Sequence, residues 1–157
     1  MKKYLFFLLF IFSCNPDGDD NDFETTPYSL NYPTDVFPMM IIPEDNLLTQ
    51  EGVSLGKKLF FDPILSVNNT ISCASCHVQE NSFSDPNQYS IGVNGDFGFR
   101  NAFSLVNIGW NNSFNWDGSA SSLENQVFEP VTNPIEMANS WDQVEDDLNA
   151  NSQYREL

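Results

Sequence analysis

Basic side chains are scarce in this sequence: 157 residues carry 6 Lys and Arg against 22 Asp and Glu, a formal net charge of −16. That balance argues against nucleic-acid binding, which needs a cationic face to displace counterions. Long apolar runs are also missing. The stretch from Tyr4 to Phe12 has nine residues, and a membrane-spanning helix needs about 20. Cysteine is limited to Cys14, Cys73 and Cys76, and histidine to His77. There are no internal repeats, and the length suits one domain.

The N-terminus reads Met1-Lys2-Lys3 and then that apolar run, a charged start followed by a hydrophobic stretch, which is the pattern of a secretion signal. Ile11-Phe12-Ser13-Cys14 resembles the bacterial lipoprotein cleavage box, in which the cysteine is lipidated and becomes the new N-terminus. The alternative is an ordinary free cysteine just after a signal. Residues 1–14 are therefore expected to be a lipoprotein signal peptide, and the location a lipid anchor in the periplasm or cell envelope. Loss of Lys2 and Lys3 leaves 4 of the 6 basic residues against 22 acidic ones, a net −18. Such acidity favours solubility and attracts basic partners such as small electron-carrier proteins.

Residues 15–38 are rich in Asp, Asn, Pro and Thr and lack apolar periodicity, so a disordered acidic tether is expected there. Its cluster Asp17, Asp19, Asp20 and Asp22 reads either as a solvated linker or as a surface-export signal of the kind some lipoproteins carry. Order is expected to begin between Phe37 and Pro43, and residues 39–157 to form the domain. Leu55, Leu59 and Phe60 recur at helical spacing and Asp62-Pro63 blocks continuation, which predicts a helix over 54–61. Residues 78–118 hold many Asn, Gly and Ser with scattered aromatics, and predict a long irregular stretch wrapped over something. Ser121-Ser122-Leu123-Glu124 reads as a capping box opening a helix that ends before Pro130. A second box, Ser140 to Gln143, opens another with Trp141, Val144 and Leu148 on one face. The fold class expected is mainly α with long irregular loops. Asn151 to Leu157 reads as a helix begun but not finished, so a continuation beyond the C-terminus is expected.

In Cys73-Ala74-Ser75-Cys76-His77 two thiols three positions apart can each form a thioether with a haem vinyl group, and His77 follows as the axial iron ligand. Covalently attached haem c is the cofactor this motif implies, and its assembly outside the cytoplasm agrees with an export signal. Two other chemistries share the Cys-x-x-Cys spacing: a thioredoxin-like redox pair and half of a zinc site. Zinc needs about four ligands, and with Cys14 lipidated the chain offers three Cys/His groups. A redox pair has no need of the adjacent histidine. With His77 the sole histidine, a bis-histidine haem is excluded, and the sixth position is open, water-bound or filled by Met39, Met40 or Met137.

The stretch from Leu55 to Met137 resembles the N-terminal domain of the bacterial di-haem cytochrome c peroxidases, the group that includes MauG-type enzymes. The resemblance lies in Leu55-Gly56-Lys57-Lys58-Leu59-Phe60-Phe61-Asp62-Pro63, Ile71-Ser72-Cys73-Ala74-Ser75-Cys76-His77, Arg100-Asn101, Trp116-Asp117-Gly118, Leu123-Glu124-Asn125-Gln126 and Asn133-Pro134-Ile135-Glu136-Met137. It implies a cytochrome-c-like domain with a peroxide-reactive haem, followed in such enzymes by a second haem domain absent from these residues. By resemblance His77 is the proximal ligand, Glu136 the distal acid/base, and Gln126 its neighbour on the pocket wall. Trp116 matches the tryptophan between the two haems, and Asn101 a residue that helps hold calcium at the domain junction. Three positions depart from the family pattern: Val93 where many relatives carry a removable distal histidine, Ser119 where arginine is usual, and Phe103 where proline is usual. Val93 cannot ligate iron, so the haem is expected to be open without prior reduction.

The function implied is reduction of hydrogen peroxide with electrons from a c-type cytochrome or similar small donor protein. Two alternatives remain at this point: a monohaem electron carrier, and a MauG-type haem oxidase of another substrate.

Overall fold

The computed structural model describes residues 24–156. The signal, Cys14 and the first part of the expected tether lie outside them. The first helix, α1, spans Gln50–Phe61. It opens four residues before the apolar spacing predicts, because Thr49 is extended and its hydroxyl accepts the Gly52 N–H at 3.0 Å. Asp62 ends it as expected. The Asp62 N–H closes on the Lys58 carbonyl, while its carboxylate accepts the Ile64 N–H at 2.9 Å and starts a 3₁₀ turn, Pro63–Leu65.

That turn delivers Leu65 to the core. Leu65, Val131, Met137 and Val144 are buried together, with Leu59, Ile64, Ile71, Cys73, Trp141 and Leu148 packed around them. Each fully buried aliphatic side chain contributes roughly 1.5–3 kcal/mol. Helix α2 is the single turn Cys73–Cys76. Helix α3 spans Leu123–Thr132 and α4 Trp141–Ala150. Helix α4 is as predicted: Ser140 accepts the Gln143 N–H, and Trp141, Val144 and Leu148 face the core.

Two expectations for α3 are corrected. The capping residue is Ser122, which accepts the Asn125 N–H at 3.1 Å, and Glu124 turns away to accept from the Asn46 amide at 2.8 Å. The helix also continues through Pro130. Proline removes the bond to the Gln126 carbonyl, but the Asn133 N–H reaches Glu129, the Thr132 hydroxyl reaches Phe128, and fully buried Val131 fixes the last turn. The chain then curls back over it: the Met137 and Asn139 N–H groups bond the carbonyls of Pro130 and Val131, and the Asn139 amide caps the Leu65 carbonyl.

The tether expected to stay disordered through Pro38 joins the fold from Thr26 onward. Pro27 pairs with Thr49, and the Tyr28 and Gln50 N–H groups bond across to Leu48 and Thr26. Tyr32 and Phe37 then pack on Trp110, whose indole N–H donates to the Pro38 carbonyl at 2.9 Å. Aromatic anchoring and edge pairing override a composition that reads as linker. Residues 78–118 are irregular, as predicted, with two 3₁₀ turns, Gln79–Asn81 and Ile108–Trp110. Isolated pairings close its loops at Val78 with Ser84 and Ile91 with Phe97, and Phe114 pairs with Ala120 just beyond. No strand longer than such a pairing occurs among the described residues, so the chain is mainly α with long irregular loops. The last helix, α5, Ser152–Arg155, is tied to the end of α1. The Tyr154 hydroxyl donates to Asp62 at 2.7 Å, and the Lys58 ammonium lies 4.0 Å above the Tyr154 ring.

Candidate functional site

Helix α2 places Cys73 and Cys76 three positions apart, on one face of a single turn, with neither thiol in a disulfide. The Ser72 N–H donates to the Ser75 hydroxyl at 3.0 Å and fixes the turn's start. Burial pushes both thiols up. At Cys76 the Ser90 hydroxyl opposes that rise, while the Asp85 and Glu136 carboxylates add to it. A redox dithiol needs a thiolate stabilised at low pKa, which is the opposite of what these surroundings do. Among the described residues no group of three or more His, Cys, Asp and Glu side chains gathers as a metal site, so the zinc reading finds no ligand set.

His77 caps α2, its N–H bonded to the Cys73 carbonyl. Its Nδ1 lies 2.9 Å from the Phe83 carbonyl. A carbonyl can only accept, so Nδ1 carries the proton, and Nε2 keeps a lone pair for a metal. Phe83 can turn its carbonyl inward because Ser82 and Phe83 both adopt the left-handed region, at φ of 58° and 54°. The Phe83 ring packs edge-on to Phe60 at 6.1 Å. Two thiols on one face of a turn, followed by an imidazole with its Nε2 turned from the Phe83 bond, form a set of groups that fits haem, with His77 the residue that would reach the iron.

Glu136 lies in the loop between α3 and α4. Its carboxylate accepts from the Asn133 amide at 3.0 Å. The residue as a whole is exposed, yet partial desolvation of its carboxyl raises it above the usual range, the Asn133 hydrogen bond opposing and Glu129 adding. The loop bearing Val93 is pinned directly to it, the Val93 N–H donating to the Glu136 carbonyl at 2.7 Å. A side chain at Gly92 would fall 1.6 Å from the Ile135 carbonyl oxygen.

The remaining expected residues are placed differently. Gln126 sits half-buried on α3, with no hydrogen bond to Glu136 among the described residues. Trp116 is 62% exposed, its indole N–H donating to the Asn101 carbonyl at 2.7 Å. The Asn101 side chain stitches loops together: its amide donates to the Asp85 and Asn87 carbonyls, and its Oδ1 accepts from the Ser84 hydroxyl at 3.1 Å. A calcium ion there would have to share that oxygen. Met137, one of the three methionines considered for the sixth position, is 4% exposed and packs in the core. Met40 packs against Gly109, and Met39 is exposed. Cys14 lies outside the described residues.

At Ser119, the Ser119 N–H and Arg100 hold Asp117 in place, and Asp117 pairs with Arg100 at 2.9 Å. Two contributors escaped the sequence reading. The Phe83 carbonyl leaves no trace in side-chain identity, whereas Asn133 stands three residues before Glu136 in the motif already singled out.

The comparisons agree with this geometry. The family model described as di-haem cytochrome c peroxidase matches residues 50–157. The methylamine utilization protein MauG of Methylorubrum extorquens is 42% identical over 119 residues, covering 73% of this chain and 33% of the relative. The cytochrome c peroxidase Ccp of Escherichia coli is 40% identical over 122 residues, covering 77% and 25%. Among solved structures, a MauG-like protein associated with microbial copper homeostasis superposes with a TM-score of 0.75 at 35% identity, over 82% of this chain and 38% of that one. The chain thus spans about a quarter to a third of the curated relatives it matches. With its helical fold, its Cys73–His77 donor set and this match over residues 50–157, the chain belongs to the di-haem cytochrome c peroxidase family.

Proposed function

We propose that this chain is the peroxide-handling domain of a cytochrome c peroxidase, with haem c attached through Cys73 and Cys76 and held axially by His77. Haem, held by these residues, would supply a redox-active iron centre for peroxide, the electrons coming from a donor outside this domain. His77 presents Nε2, because in the neutral imidazole the Phe83 carbonyl holds the proton on Nδ1 and orients the ring. Glu136 takes the proton from one peroxide oxygen and returns it to the other as the oxygen–oxygen bond breaks. The observation that carries this reading is the position of the Glu136 carboxyl, oriented by the Asn133 amide at 3.0 Å, raised by partial desolvation, and tied through its own backbone carbonyl to the Val93 loop. A raised carboxyl exchanges protons near neutral pH more readily than an ordinary one. Asn133 orients it, and Gln126 and Trp116 are assigned supporting roles, the first in positioning and the second in electron passage.

Reducing peroxide to two waters consumes two electrons and two protons. The proposal therefore includes a small electron-donor protein and a second haem domain joined to this one. Export through residues 1–14 and a lipid anchor at Cys14 complete it, placing the protein in the periplasm or cell envelope.

Glu136→Gln keeps shape but removes the titratable group. In the protein carrying both haem domains, peroxide consumption should fall about 10²- to 10⁴-fold with haem content unchanged. A wild-type rate would overturn the acid/base role. A low-spin oxidised spectrum, unresponsive to peroxide, would favour an electron carrier instead.

A further inference from the structure

The proximal imidazole has a second neighbour besides the Phe83 carbonyl. The Phe103 ring lies 5.7 Å from the His77 ring, centre to centre, inclined at 69°. Such edge-to-face contacts hold two rings in a preferred relative orientation. The hydrogen bond at Nδ1 restrains the imidazole at its edge. A ring against its flank adds a second restraint, on the tilt of its plane.

Phe103 has little freedom to leave. The residues around it are sewn to the segment that carries the Phe83 carbonyl: the Ser84 hydroxyl donates to the Ala102 carbonyl at 2.9 Å, the Ser104 hydroxyl to the Ser82 carbonyl at 2.6 Å, and the Asn101 amide to the Asp85 carbonyl at 2.9 Å. Residues on both sides of Phe103 are thus bonded to residues on both sides of Phe83. The carbonyl and the ring reach His77 as one unit.

We propose that Phe103 is a positioning residue that sets the plane of the His77 imidazole beneath the haem, an inference that rests on the haem reading above. Where family members usually carry proline, no ring is available for this contact, so the device distinguishes this chain from the family pattern. The orientation of an axial imidazole, and the hydrogen bond behind it, are among the levers by which a protein tunes haem iron.

The test uses the haem-loaded protein and Phe103→Leu, Phe103→Pro and Phe103→Tyr. The readout is the set of hyperfine-shifted haem-methyl resonances of the low-spin cyanide adduct of the ferric form, whose order and spread follow the imidazole plane. Phe103→Leu and Phe103→Pro should keep their haem but shift or double these resonances, and Phe103→Tyr should retain the wild-type pattern. Resonances of Phe103→Leu superimposable on the wild type would overturn the proposal. So would loss of haem from Phe103→Leu and Phe103→Pro alike, which would make the ring a packing element. A wild-type protein with no covalently bound haem on denaturing electrophoresis would bring down the haem reading itself, an outcome distinct from either.

Discussion

Gly92 sits where the Ile135 carbonyl leaves no space for a β-carbon, and the next residue makes the bond that pins this loop to Glu136. Gly92→Ala should therefore force the loop away and destabilise the protein by about 1–3 kcal/mol, the usual range for overpacking, read from the midpoint of denaturant unfolding. Unchanged stability would mean that the loop does not rest on residue 135. At this scale the Cys73–His77 turn was legible from its own spacing, whereas Glu136 stood out only through the family resemblance; the structure puts the first on α2 and its cap and the second in the loop between α3 and α4. The sequence was silent where the backbone acts, as in the carbonyl of Phe83 and the amide of Val93, because any residue carries those groups. Phe103 was visible only as a departure from proline, and its contact with His77 needed the fold.

Among the helices, α4 was legible because cap and buried face agree, Ser140 opening it and Val144 closing it onto the core. The first turn of α1 was not, since it is set by the Thr49 cap and buries no apolar residue. Helix α3 outruns its proline for a tertiary reason, the burial of Val131, which local propensity does not encode. Helix α2 has four residues and could be found only through its motif. Gly56 lies within α1 with nothing within 4 Å of where a β-carbon would stand. Gly56→Ala should accordingly stabilise the protein by about 0.5–1 kcal/mol, measured by thermal unfolding of the same preparation. A loss of stability would show that this face of α1 is covered.

Over the whole molecule, three carboxylates held below their usual range fasten the outer segments. The Thr26 N–H holds Glu51 down, the Asn46 amide holds Glu124 down, and Ser119 and Arg100 bring Asp117 to about 2. A carboxyl lowered by folding contributes stability that is present above its ordinary pKa and lost as pH falls through the lowered value. Glu136, raised by folding, has the opposite sign and favours the folded state as it takes up its proton. Acidification from about pH 5 towards 2 should thus loosen residues 26–50 and the loop around 100–119 before the core formed by Leu65, Val131, Met137 and Val144. Hydrogen exchange at graded pH checks this, and simultaneous loss of protection everywhere would refute it. The docked segment was the largest surprise at this scale, because Tyr32 and Phe37 reach a tryptophan more than seventy positions away. The hydrogen bond that aims His77, by contrast, spans only six residues. Closing so short a loop costs little chain entropy. Phe103 and Glu136 arrive only when distant segments fold together. The two sides of the candidate site therefore differ in the range of the contacts that hold them: a six-residue stretch orients His77, whereas the Phe103 ring and the Val93 bond to the Glu136 carbonyl join segments far apart in the chain.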